Sequence, residues 1–209
     1  MNIYDMTLND YLDAASSKSS TPGGGSVSAI VAANASAMIS MVANLTLDKK
    51  GYDDVQDEVR NILDKMNKNM ADIKELTEKD MRAFQSFMEA WRLPSVTEEE
   101  RSGKNLAMEK AAQNASSVPL ELCGACIEIL RQAGQLAPIG NKTAISDVGV
   151  GAYLAEAALN AAMLSVDINL PMIGDEAFKE RLLTEKTRLL AAAAELKSAA
   201  LSDVRKRLS

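Results

Sequence analysis

The sequence predicts an all-α fold, a single-domain helical bundle with long antiparallel helices and no sheet, and three observations carry that prediction. No segment sustains the apolar/polar alternation of a half-buried strand, and β-branched residues do not cluster. Ala, Leu, Met, Glu and Lys dominate, and these are good helix formers. Apolar residues recur at steps of three, four and seven over spans far longer than a strand. At 209 residues, one domain over 1–209 with a full core is expected, because a second independent domain would be cramped.

Thr7 followed by Asp10 resembles an N-cap for a short opening helix carrying Leu8, Tyr11, Leu12 and Ala15. A Ser- and Gly-rich loop follows, from Ser16 to Gly25. From Ser26 to about Leu45 a helix apolar nearly all round is expected to be central and buried. Ala29, Ala33 and Ala37 give it a small-residue stripe for close packing, and Ser36, Ser40 and Asn44 give it a polar one that needs partners in protein or ligand. After a basic turn at Asp48 to Gly51, a helix should run from about Asp54 to Trp91, about 55 Å if unbroken. Its core stripe is Val55, Val59, Ile62, Met66, Met70, Ile73, Thr77, Phe84, Phe87 and Trp91, and the one seven-residue step in it is filled by Asp80. A carboxylate therefore occupies a core-facing position.

Thr97 and Glu100 form a capping box that opens a helix through Met108, Ala111, Ala112 and Ala115. Pro119 is expected to begin a further helix. Pro138 and Gly140 break the chain, and the next helix, Ser146 to Asp167, carries Val150, Leu154, Ala158 and Ala161. Gly149 and Gly151 near its start permit close backbone approach. After Gly174 and Asp175 the final helix buries Leu182, Leu189, Ala193, Leu196, Ala200, Val204 and Leu208.

Composition excludes several function classes. A net charge of −6 argues against a nucleic-acid partner, which draws its affinity from clustered Lys and Arg. No stretch of the sequence approaches the run of about 20 apolar residues that spans a bilayer, so no membrane association is expected. The stretch Met1 to Thr7 has neither a basic start nor an apolar signal core, and the expected location is the cytoplasm. With no histidine in the chain, the usual near-neutral base and the usual zinc or haem ligand are missing, and no metal site is expected. Cys123 and Cys126 form a lone Cys-x-x-Cys inside an apolar run from Pro119 to Leu130, which favours buried, inert thiols over redox work.

Three segments depart from an ordinary bundle. In Thr21-Pro22-Gly23-Gly24-Gly25-Ser26, glycines lead into a helix N-terminus whose free N–H groups suit an anion or a carbonyl oxygen, though a turn into a buried helix reads the same way. Asn44-Leu45-Thr46-Leu47-Asp48-Lys49-Lys50-Gly51-Tyr52 sets amide, hydroxyl, ammonium and phenol groups at one helix end, where lysines also simply complement the dipole. Gly140-Asn141-Lys142-Thr143-Ala144-Ile145-Ser146-Asp147-Val148-Gly149 looks like a phosphate loop but lacks its spacing, so nucleotide hydrolysis is rejected. There Ser146 or Asp147 either caps the helix or faces a ligand. Asp80 is the most informative residue: a desolvated carboxylate needs a partner such as a lysine, or else has the shifted pKa that acid–base catalysis uses.

Taken in this order, the segments resemble the cyclodeaminase domain of formiminotransferase-cyclodeaminase and its free-standing bacterial relatives, the cyclodeaminase/cyclohydrolase family. The resemblance rests on Thr-Pro-Gly-Gly-Gly-Ser at 21 to 26, Met-Val-Ala-Asn-Leu-Thr at 41 to 46, Lys-Lys-Gly-Tyr at 49 to 52, Asp80 with Ala83-Phe84, Gly-Asn-Lys-Thr-Ala-Ile-Ser-Asp-Val-Gly-Val-Gly-Ala at 140 to 152, and Ile-Asn-Leu at 168 to 170. It implies a helical fold, a homodimer and a tetrahydrofolate derivative as substrate, with no tightly bound cofactor. Two reactions share a methenyl species. One adds water to 5,10-methenyl-tetrahydrofolate to give 10-formyl-tetrahydrofolate, and the other expels ammonia from 5-formimino-tetrahydrofolate to close the methenyl ring.

The hydrolase is the favoured expectation and the deaminase the alternative; a non-catalytic helical binding protein is the rival of a different class. Asp80, Asp147 and Lys49 are the candidate catalytic residues. Either carboxylate suits the base and the other the pterin's amino-pyrimidine edge. Gly24, Gly25, Ser26, Asn44, Thr46, Lys50, Tyr52, Asn141, Lys142, Ser146 and Asn169 are the candidate substrate-binding residues. Among them Lys49, Lys50 or Lys142 would meet the glutamate tail, and Asn44, Asn141 and Asn169 would orient water and ring amides.

Overall fold

The computed structural model describes residues 3–209; Met1 and Asn2, part of the stretch read above for targeting signals, lie outside the described residues. Six α-helices account for the architecture, and no strand occurs among the described residues. They are α1 (Leu8–Ala15), α2 (Gly24–Asn44), α3 (Gln56–Trp91), α4 (Glu98–Ile139), α5 (Ile145–Asn169) and α6 (Glu176–Leu208). The all-α expectation holds.

The starts are capped as local chemistry dictates. Thr7 Oγ1 accepts from Asp10 N at 3.1 Å, Thr97 and Glu100 make both bonds of the capping box, and Asp175 Oδ1 accepts from Phe178 N at 2.9 Å. Neither Ser146 nor Asp147 is an N-cap: a 3-10 turn at Lys142–Ala144 runs directly into α5, leaving Asp147 in its first turn.

α2, α3, α4 and α5 enclose the main core, with α2 packed on α5, α5 on α4, α4 on α3 and α3 on α2, and α6 lies against α4 and α5. Gly151 makes the α2–α5 contact close. A Cβ there would come within 2.8 Å of Ile39 Cδ1 and 3.1 Å of the Ala35 carbonyl oxygen.

Four expectations need correction. Pro119 starts no helix; it lies inside the continuous α4. A proline has no N–H to give to the carbonyl four residues back, here that of Ala115, and Asn169 Nδ2 donates to that oxygen at 3.2 Å instead. Trp91 is 58% and Leu208 59% exposed; each is the last residue of its helix, where a side chain has no following turn beside it. On α5, Val150 and Ala161 face outward, while Val148, Ala152, Ala155, Leu159 and Met163 are buried; packing on three sides blurs the period from which a stripe is read. Finally, α2 and Lys142–Met172 are long and apolar enough, by length and composition, to cross a membrane, with 56% and 50% of those windows buried inside the fold.

Candidate functional site

Asp80 sits on the stripe of α3 that faces α2. Gly25 is the residue it meets: a Cβ there would lie 2.3 Å from Asp80 Oδ2 and 2.5 Å from Oδ1. Only a glycine lets the carboxylate rest on the first turn of α2. No hydrogen bond or ion pair to Asp80 occurs among the described residues, and the neighbouring Lys79 pairs instead with Glu75 and Glu121. The structural lysine pair is thereby excluded. Burial pushes the Asp80 carboxyl above its ordinary value.

The carboxylate opens into a cavity of about 300 Å³ between the glycine loop, α3 and the end of α5, with Phe84 and Phe87 as walls and Ile168, Asn169 and Met172 opposite. Among the described residues, Asp80 is the only ionisable side chain lining it. Gly24, Gly25 and Ser26 lie on its rim at the N-terminus of α2, whose N-cap Gly23 makes no side-chain bond, so the helix's first N–H groups stay available. Asn169, which lines the cavity, spends its Nδ2 hydrogens on Ala115 O and Ser165 O.

A second cluster forms at the other end of α2. Asn141 is 3% exposed and is its hub. Its Oδ1 accepts from Lys49 Nζ at 3.1 Å and from Thr143 N and Oγ1, its Nδ2 donates to Leu45 O, and its backbone N–H donates to Thr46 Oγ1 at 2.8 Å. Thr46, 0% exposed, donates its own hydroxyl to Val42 O. Tyr52 accepts from the Lys142 N–H at 2.9 Å, and Arg207 binds the carbonyl oxygens of Pro138 and Gly140. Thr46 and Asn141 thus shape the loop. Asn44, Lys50, Lys142 and Ser146 are exposed around it and Asp147 is half-buried.

The structure therefore divides the candidates. Asp80, Gly24, Gly25, Ser26 and Asn169 meet in one cavity, while Lys49, Lys50, Tyr52, Asn141, Lys142, Ser146 and Asp147 gather at the far end of α2, about 30 Å away at 1.5 Å per residue. Within this chain Asp80 and Asp147 cannot flank the same ring. Sequence reasoning missed Phe84 and Phe87 as cavity walls, having placed them in the core; their steps of four and seven from Asp80 on one helix face were the available signal. Cys123 and Cys126 are free and fully buried; desolvation raises Cys123 to about 12 and Cys126 well above its ordinary value, as inert thiols require.

The fold and cavity together are those of a helical bundle in which one desolvated carboxylate faces an aromatic-walled cavity. Comparison with known proteins agrees. The formiminotransferase-cyclodeaminase family profile matches residues 7–188. The chain is 37% identical over 190 residues, 91% of each, to a protein of Methylorubrum extorquens named methenyltetrahydrofolate cyclohydrolase. It is 34% identical to the formimidoyltransferase-cyclodeaminase of Gallus gallus, matching over 96% of this chain and 37% of that protein's length. The crystal structure of the formiminotetrahydrofolate cyclodeaminase of Thermotoga maritima superposes with a TM-score of 0.88 at 30% identity, covering 99% of this chain and 100% of that one. This chain belongs to the formiminotransferase-cyclodeaminase family.

Proposed function

We propose that the protein is a methenyl-tetrahydrofolate cyclohydrolase of one-carbon metabolism, acting as a cytoplasmic homodimer on a folate substrate without a tightly bound cofactor. The observation that carries this reading is Asp80, an unpaired, desolvated carboxylate between the Gly25 backbone and the Phe84 and Phe87 walls. Methenyl-tetrahydrofolate bears a delocalised amidinium cation. A low-dielectric cavity whose only ionisable group is an anion binds such a cation and leaves a base beside its electrophilic carbon. The aromatic walls suit a flat ring system, and Asn169 brings an amide to the same cavity lining.

In the reaction so assigned, water oxygen bonds to the carbon bridging N5 and N10 while Asp80 takes a water proton. The C–N5 bond then breaks and N5 receives a proton, leaving the formyl group on N10 and one net proton in solution. Asp147 and Lys49 lie outside this cavity, so Asp80 is the base within a protomer.

The names of the chicken and Thermotoga relatives keep the deaminase as the second reading. It uses the same cavity, with N10 attacking the formimino carbon and ammonia leaving. Product analysis separates the two: purified protein given methenyl-tetrahydrofolate should form 10-formyl-tetrahydrofolate above the spontaneous rate. Ammonia release from 5-formimino-tetrahydrofolate without that acceleration would reverse the order of the readings.

A further inference from the structure

The cavity that holds Asp80 is too small for a whole folate. About 300 Å³ is the low end for a ligand pocket, with room for the fused rings and not for the aminobenzoyl-glutamate that N10 carries. That tail ends in carboxylates, which call for a cation. Lys49, Lys50 and Lys142, expected from the sequence to supply it, stand at the far end of α2. The tail has to leave by the cavity's own outlet.

That outlet is a groove along α3. A second hollow of about 580 Å³ lies beside the first, and Ser20, Thr21, Met81 and Phe84 line both, so the two are continuous. One stripe of α3 and its C-cap forms the floor, because Glu78, Met81, Gln85, Met88 and Arg92 follow each other at steps of three and four. Met81, Phe84 and Met88 give it apolar surface suited to a benzoyl ring.

Of the charged side chains that line the groove among the described residues, three are already engaged. Arg82 pairs with Glu78 at 3.4 Å, and Glu89 accepts from Gln85 Nε2 at 3.1 Å. The Arg92 guanidinium makes no hydrogen bond or ion pair among the described residues. Arg92 follows the last residue of α3 and lies about 18 Å along the helix axis from Asp80, at 1.5 Å per residue. An extended aminobenzoyl-glutamate and an arginine side chain cover that distance between them.

We infer that this groove is the subsite for the aminobenzoyl-glutamate part of the substrate, with the Arg92 guanidinium forked onto a tail carboxylate and the benzoyl ring against Met81, Phe84 and Met88. The inference rests on the folate reading above, and gives Arg92 a role in affinity and none in the chemical step.

Kinetics on two substrates test it: 5,10-methenyl-tetrahydrofolate and the tetrahydropteroate analogue that lacks the glutamate. For the wild type, loss of the glutamate should raise KM about tenfold or more, as loss of a charge-assisted bond does. Arg92→Ala should raise KM for the folate by a similar factor with kcat little changed, and shift KM for the pteroate by less than about twofold. Arg92→Lys should recover part of the loss. Arg92 is exposed, and a wild-type thermal midpoint is expected of both variants. Equal KM values for the folate in wild type and Arg92→Ala overturn the inference. So does an equal loss on both substrates, or a preference for the tail that Lys142→Ala abolishes and Arg92→Ala keeps. A wild type inert toward methenyl- and 5-formimino-tetrahydrofolate overturns the functional reading instead. Saturation-transfer NMR with p-aminobenzoyl-glutamate then decides the groove: saturable binding that Arg92→Ala weakens about tenfold supports it, and no binding, or binding indifferent to Arg92, overturns it.

Discussion

Asp80 places a carboxylate where water is scarce, with opposite consequences for stability and chemistry. Its folded-state pKa is raised by burial, so protonation favours the fold, and that contribution is lost as pH rises through the folded value. At neutral pH Asp80→Asn removes the cost of a desolvated charge. The variant should melt no lower than wild type, and higher if the cavity stays closed, while turnover falls about 10²–10⁴-fold; a large drop in thermal midpoint would mark Asp80 as structural. The acid limb of the wild-type pH–rate profile should lie above the ordinary carboxylate range and vanish in the variant. Asp80 was legible in the sequence because it interrupts an apolar stripe, a statement about position that burial then turns into energy. For Thr46 and Asn141 the sequence shows only that donors and acceptors exist; the fold shows that Val42, Leu45 and Lys49 engage them.

Among the elements, the loop after α4 owes its shape to side chains brought together across some ninety residues of chain, and that shape can be dissected. Thr46→Val removes the acceptor for the buried Asn141 N–H. It should destabilise the protein by about 1–3 kcal/mol in urea unfolding, the usual cost of stranding such a group. No change would show that water takes over the bond. At the α2–α5 contact, Gly151→Val forces atoms against Ile39 and the Ala35 carbonyl, and overpacking of this kind costs about 1–3 kcal/mol, measured the same way. Caps and periods made the helices readable, from Thr7, Thr97 and Asp175 to the steps of α3. Pro119 misled because its missing N–H is compensated by Asn169, fifty residues on, and no local rule contains that partner.

On the scale of the whole molecule, the helical class follows from composition and periodicity, and the family from motifs spread over most of the chain. The division of those motifs between two ends of α2 was invisible, because linear order says nothing about which ends of antiparallel helices meet. Ligand binding should register globally: a stable folate analogue that occupies the native cavity and not the unfolded chain stabilises by about 2.7 kcal/mol at a hundredfold excess over its Kd. An unchanged thermal midpoint would favour the non-catalytic binding protein. The most direct measurement follows the loss of methenyl-tetrahydrofolate absorbance at near-neutral pH with wild-type protein, with Asp80→Asn and with no protein. Enzyme-dependent loss that yields 10-formyl-tetrahydrofolate and disappears in Asp80→Asn is the expected result. Equal rates in the wild type and the variant would contradict the assignment of the chemistry to Asp80.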